Sequence, residues 1–275
     1  MEDPAHLGQH LHVLQADHLW KRFGDIDAVC DLSFDVRPGE VVGVLGPNGA
    51  GKTTTLRMLA GILTPTRGRV AIAGVDLGRN PLDAKRHIGF LSGDTQLYQR
   101  LTPREMLAYF GRLYTMDEAR LSRRIDELVE QLDMADFASR PCGTLSSGQK
   151  QRANIARAFL HEPDVLILDE PTAALDVVTG QFIVESIRRE RAAGRSILFS
   201  THIMGEAEYL CDRIVLLHRG RAIDIGTLPE LLARSGCANL TDTFLRHVGQ
   251  DNAGIRIQES GIRSGNSSVH LNPES

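Results

Sequence analysis

The chain has 275 residues, enough for one large domain or two modest ones with a core that needs no disulfide or metal staple. Its net charge of -4 argues against a protein whose main business is a nucleic-acid backbone, so no nucleic-acid partner is expected. Its four cysteines, Cys30, Cys142, Cys211 and Cys237, form no C-x-x-C pair, which speaks against a zinc site or a disulfide framework and for reduced thiols in the cytosol.

In chain order, "MEDPAHLGQH" reads as a solvated tail; His6, His10, His12 and His18 have no acidic or cysteine partners at ligand spacing. From "LHVLQADHLWKRFG" to "VCDLSFDVRPGE", apolar residues alternate in short runs bounded by Gly, Asp and Pro, the pattern of antiparallel strands. "EVVGVLG" is a compact apolar strand of the kind buried on both faces. A glycine-rich loop and the helical pattern "KTTTLRMLAGIL" follow. Between about Asp94 and Phe159 the character changes to three helical patterns, "PREMLAYFGRLY", "EARLSRRIDELVEQLDM" and "GQKQRANIARAFL". After them "DVLILDEP" and "SILFSTH" are again buried strands, separated by the helical "TGQFIVESIRRERAAG", and "RIVLLHRGRAIDIG" reads as a strand pair. Strand-helix alternation predicts a mostly parallel sheet covered by helices. Residues 250–275, rich in Gly, Ser and Asn, are expected to be disordered, as are residues 1–10. No run reaches the roughly 18 to 20 apolar residues of a transmembrane helix, and no basic-then-apolar leader opens the sequence.

Residues 46–53, "GPNGAGKT", match G-x-x-x-x-G-K-[ST] between a predicted strand and a predicted helix. Gly46, Gly49 and Gly51 let backbone amides turn inward around phosphate oxygens, with the helix N-terminus adding its positive dipole end. Pro47, Asn48, Ala50 and Thr54 complete the loop and its exit; Lys52 reaches the β- and γ-phosphates and the Thr53 hydroxyl is placed for Mg²⁺. A second constellation is "VLILDE", an aliphatic strand ending in Asp169 and Glu170. Neighbouring strand residues face opposite ways, so the two carboxylates are expected to do different work: Asp169 on Mg²⁺ through water, Glu170 on the attacking water. His202, just after "SILFST", is within reach of the same place from the next strand end. Finally, "LSSGQKQR" (145–152) fits a capping box, Ser146 with Gln149, at the start of a helix.

With these residues assembled, the chain resembles the ATP-binding subunit of an ABC transporter from His12 to Gly249. The matching elements are Phe23 in "KRFG", the phosphate loop, the signature "LSSGQKQR" with Ser146, Ser147, Gly148 and Gln149, the acidic strand, Asp176 in "AALD", and His202 in "STH". The resemblance implies an α/β P-loop NTPase (RecA-like) core, 11–93 and 158–249, with an antiparallel β-subdomain and an inserted helical subdomain, 94–157. It also implies a head-to-tail homodimer or heterodimer with a second ABC ATPase subunit. Each ATP would be held between one subunit's phosphate loop and the other's signature, and hydrolysis would drive an integral membrane permease from the cytoplasmic face. On this resemblance Phe23 stacks on adenine, Glu170 is the catalytic base or water-orienting group, and His202 links the γ-phosphate to the opposite subunit. "IGFLSGDTQLYQRLTPREMLAYFGRLYTM" is similar to ATPase subunits of sodium-extruding exporters within a group that also exports drugs and polysaccharides. Two positions depart from the family: Ser147 stands where many relatives carry glycine, and Gly93 and Asp94 stand where many carry a glutamine that senses Mg²⁺ and water. Either Asp94 supplies a Mg²⁺ contact or Gln96 reaches back.

A soluble ABC ATPase acting on the ribosome or DNA is the alternative; such chains usually show paired cassettes, coiled-coil insertions or zinc cysteines, none of which is found here. A GTP switch lacks its N-K-x-D motif, and a non-hydrolysing cassette is disfavoured by the presence of Lys52, Asp169, Glu170 and His202 together.

Overall fold

The computed structural model describes residues 12–93 and 96–249. The terminal stretches expected to be disordered lie outside the described residues, as does Asp94. The chain divides into two units, one ending at Leu228 and one beginning at Pro229.

The first unit opens with β1 (Leu14–Phe23) and β2 (Ile26–Val36), an antiparallel hairpin that places Phe23 opposite Ile26. β3 (Val41–Leu45) is buried at all five positions and runs through the glycine loop into α1 (Lys52–Leu59). β4 (Arg67–Ile72), β5 (Val75–Asp76) and α2 (Pro81–Arg86) follow. The sequence pattern assigned none of these, because β4 and β5 are short and carry few large apolar residues. β6 (Ile88–Leu91) leads to three helices. α3 (Pro103–Leu113) starts at a Thr102–Glu105 capping box with Pro at its first position, and α4 (Glu118–Gln131) is capped by the Asp117 carboxylate. α5 (Ser147–Phe159) starts at Ser146. Then come β7 (Val165–Asp169), α6 (Val177–Ala192), β8 (Ser196–Thr201), α7 (Met204–Leu210), β9 (Arg213–His218) and β10 (Arg221–Gly226).

Two sheets result. The antiparallel one has the order β2-β1-β4-β5. The larger has the order β10-β9-β3-β8-β7-β6, parallel from β9 through β6 and closed at one edge by the antiparallel hairpin partner β10. Strand alternation divides the core between the faces of this large sheet. Leu166 and Leu168 of β7, with Ile197 and Phe199 of β8, pack with apolar residues of α3 to α6. Val165 and Ile167, with Leu198 and Val44, pack with Leu56, Met58 and Leu59 of α1. Asp169 continues the second set and therefore leaves the strand on the α1 side, at the carboxyl end of the sheet where open α/β folds bind ligands.

α8 is assigned from Leu228 to Ser235, and in the second unit residues 240–249 are helical. Ser235 and Thr243 share a hydroxyl hydrogen bond of 2.8 Å, and Arg246 Nη1 donates to the Ser235 carbonyl.

Candidate active site

The loop after β3 is shaped by glycine where a side chain cannot fit. Gly51 has φ of 104°, and a Cβ there would stand 2.6 Å from the Ala28 carbonyl oxygen; a Cβ on Gly46 would stand 2.2 Å from that of Leu217. Gly49, by contrast, faces open space. The β9–β10 turn locks the loop from outside: Gly220 N–H donates to the Ala50 carbonyl, and the Gly220 carbonyl accepts from Cys30 N–H. Asn48, Gly49, Gly51, Lys52, Thr53 and Thr54 line one side of a cleft of about 330 Å³, with Glu170 and Arg219 also at its wall. Pro47 and Ala50 act within the loop, where Ala50 N–H donates to the Pro47 carbonyl.

Lys52 is 4% exposed, and its ammonium donates to the Gly46 and Pro47 carbonyls at 2.8 and 3.2 Å. It also pairs with Glu170 Oε1 at 3.2 Å, while Glu170 Oε2 lies 3.4 Å from His202 Nδ1. Asp169 is buried, and its Oδ1 accepts from Thr53 Oγ1 at 3.3 Å and from Ser200 Oγ at 2.7 Å. The two consecutive acids thus separate, but the cause is the end of β7 at Asp169 and the left-handed backbone of Glu170 rather than strand alternation. Asp169 meets the helix-start hydroxyl, and Glu170, with φ of 46°, turns to the lysine and the histidine.

The signature lies elsewhere: none of Ser146, Ser147, Gly148 or Gln149 lines this cleft. The capping box is formed, with Gln149 N–H donating to Ser146 Oγ at 3.3 Å and Ser146 N–H to Gln149 Oε1 at 3.0 Å. Ser147 is the first helical residue and is not left-handed, so it does without glycine's freedom at no cost. A Cβ on Gly148 would lie 3.1 Å from the Thr179 methyl, which brings the start of α5 against the start of α6. There Asp176 caps α6, accepting from Thr179 N–H and Oγ1. Phe23 is 48% exposed, with the Lys21 ammonium 5.1 Å from its ring centre; its hairpin neighbour Ile26, rather than Phe23 itself, lines the cleft. Gln96 is exposed.

Sequence reasoning gave Ser200, the first residue of "STH", no role, and missed the Arg219–Gly220 turn. Ser200 had a signal, a hydroxyl near the end of a strand that reads as buried on both faces, "SILFST". The turn had none, because its role depends on which strand lies beside β3.

A glycine loop lining a cleft at a helix start, a buried ammonium and a strand-end carboxylate facing a helix-start hydroxyl answer the needs of a nucleotide's phosphates. In class the molecule is a P-loop nucleoside triphosphatase. A family described as ABC transporter matches residues 29–173. The ABC transporter ATP-binding protein NatA of Bacillus subtilis is 40% identical over 82% of this chain and 94% of its own length. The daunorubicin resistance ATP-binding protein DrrA3 of Streptomyces coeruleorubidus is 38% identical over 89% of this chain and 77% of its own. Among solved structures, an ATP-binding subunit of an ABC transporter superposes with a TM-score of 0.80 at 33% identity, over 86% of this chain and 99% of that one. A dimeric, post-hydrolysis ATP-binding cassette bound to ADP and Pi gives 0.71 at 27% identity, over 78% and 98%. The chain belongs to the ABC transporter family of ATP-binding proteins, and its activity is the binding and hydrolysis of ATP.

Proposed function

We propose that this subunit energises export through a separate integral membrane permease, docked at the cytoplasmic face of the membrane, and that it works as a homodimer or heterodimer of ABC ATPase subunits. The relatives support export, since their names speak of multidrug transport, daunorubicin resistance and Nod factor export. Na⁺ or a multidrug- or polysaccharide-type compound is the proposed cargo class. Among the described residues no helix is long and apolar enough to cross a membrane, in keeping with a permease on another chain.

The observation that carries the chemistry is the division of labour at the end of β7. The loop amides and Lys52 hold the β- and γ-phosphates, and Phe23 is assigned to the adenine. Thr53 Oγ1 and Asp169 Oδ1, 3.3 Å apart, form an all-oxygen donor set of the kind a hard cation takes, and Mg²⁺ fits it; the residue at 94 is a further candidate ligand. Mg²⁺ bound there supplies charge neutralisation on the phosphate oxygens. Glu170 orients the attacking water and accepts its proton, and His202, in contact with Glu170, faces the γ-phosphate. The exposed start of α5, with Ser146 and Gly148, is presented to the γ-phosphate of a second subunit, beside Asp176.

Steady-state hydrolysis by Glu170→Gln tests this assignment. Turnover is expected to fall roughly 10² to 10⁴ fold with ATP affinity retained; normal turnover removes Glu170 from the role. Co-purification from native membranes tests the coupling: recovery with a permease supports it, and recovery with ribosomes or DNA alone overturns it.

A further inference from the structure

Ser200 is fully buried and is the first residue of "STH", a stretch in which only His202 has so far been given a role. Alternation along β8 sends Ile197 and Phe199 to one face of the sheet and Leu198 to the other, so Ser200 follows Leu198 toward α1. The register sets it directly beside Asp169 on β7 and Val44 on β3. From there its hydroxyl donates to Asp169 Oδ1 at 2.7 Å and accepts from the Glu170 backbone N–H at 3.0 Å. One oxygen atom thus spans both carboxylate residues of the site.

Both contacts hold something that would otherwise be free to move. The first fixes which way the Asp169 carboxylate faces, and the Thr53 hydroxyl approaches that same oxygen. The second holds Glu170 in a left-handed backbone conformation, φ of 46°, that L-residues enter only at a cost. From that conformation the Glu170 side chain reaches Lys52 and His202.

We infer that Ser200 is a positioning residue for ATP hydrolysis, its hydroxyl setting the metal-side carboxylate of Asp169 and the water-side carboxylate of Glu170 together. The inference rests on the roles proposed above for those two acids. Residues that orient a metal ligand from behind typically matter by about 10- to 100-fold in metal affinity or activity.

The test uses the full-length chain and compares Ser200→Ala, Ser200→Val and Ser200→Thr. Valine and threonine have the same shape and differ in the hydroxyl, which separates its effect from any steric one. In Ala and Val, kcat is expected to fall about 10- to 100-fold with KM for ATP changed less than about threefold, while Thr stays within about threefold of wild type. The second readout is Mn²⁺ affinity in the presence of ADP, followed by electron paramagnetic resonance. It is expected to weaken about tenfold or more in Ala and Val and to hold in Thr. Wild-type kcat and Mn²⁺ affinity in Ala, or Thr behaving like Val, overturns the inference. Glu170→Gln run alongside tells the two failures apart. An inactive Glu170→Gln beside an unimpaired Ser200→Ala sinks only the role of Ser200, whereas an active Glu170→Gln sinks the underlying assignment.

Discussion

Two helix starts in this molecule share one sequence theme, small polar residues and glycine ahead of a helix, and solve opposite problems. α1 begins at Gly51 with no side chain capping its first turn and no acidic residue there. α5 begins at Ser146 with a reciprocal box that occupies the amides of Ser146 and Gln149. Every helix leaves its first amides without intrahelical partners. At α1 the loop and the first helical residues line a cleft, open to an anion; at α5 the box answers two amides from within the chain and the start remains exposed. The difference teaches that the phosphate loop binds by being unfinished, whereas the signature must stand ready without its ligand.

The strongest way to break this contrast is to put a side chain on Gly51. Gly51→Val forces a β-branched residue to φ of 104° with its Cβ against the Ala28 carbonyl. ATP affinity, read by titration with a fluorescent nucleotide, is expected to fall on the order of 10³-fold, about 4 kcal/mol. The same change at Gly49, which faces open space, is expected to cost less.

The other end of α5 offers a pH test of about 3 kcal/mol. His161 follows the helix, stacks on Tyr114 at 3.8 Å and donates from Nε2 to the Ile88 carbonyl. A histidine at a helix C-terminus ordinarily gains affinity for a proton. Here burial wins and pushes the imidazole down from its ordinary 6.5 to about 4. The unfolded chain therefore binds the proton more readily. Stability is fully present above pH 6.5 and declines as pH falls to about 4, by about 3 kcal/mol at roughly 1.4 per pH unit. The difference in unfolding free energy between the native chain and His161→Phe, followed by denaturant from pH 7 to pH 4, should show that slope, since taking the difference cancels the contributions of the other histidines.

The smallest effect sharpens the contrast at the signature itself. Ser146→Ala removes the cap acceptor and is expected to cost about 1 kcal/mol in denaturant unfolding, with ATP binding by the single subunit unchanged. Ser146→Arg should in addition abolish ATP-dependent dimerisation, read by light scattering with ATP; a mutant that still dimerises and hydrolyses ATP leaves the stretch as a helix cap alone.

The elements that the sequence disclosed are those whose cause is local. "GPNGAGKT" carries its own turn, donors and lysine within one loop, and "VLILDE" carries both acids at the end of one aliphatic run. The capping box at Ser146 likewise lies within four residues, 146–149. β4, β5 and α2 escaped because short, half-exposed pieces have too little hydrophobic period to register.

What tertiary structure alone decided is everything that depends on which strand lies beside which. β3 lies between β8 and β9, so the β9–β10 turn clamps the phosphate loop and supplies a wall of the cleft. β7 lies beside β8 in a register that pairs Asp169 with Ser200, so a hydroxyl 31 positions away orients the acid. By itself the sequence determined the ATP chemistry, because each reacting group sits in a short stretch with its own geometry. The order and register of the parallel strands came from burying both faces of one sheet at once, a condition that only the assembled chain can meet.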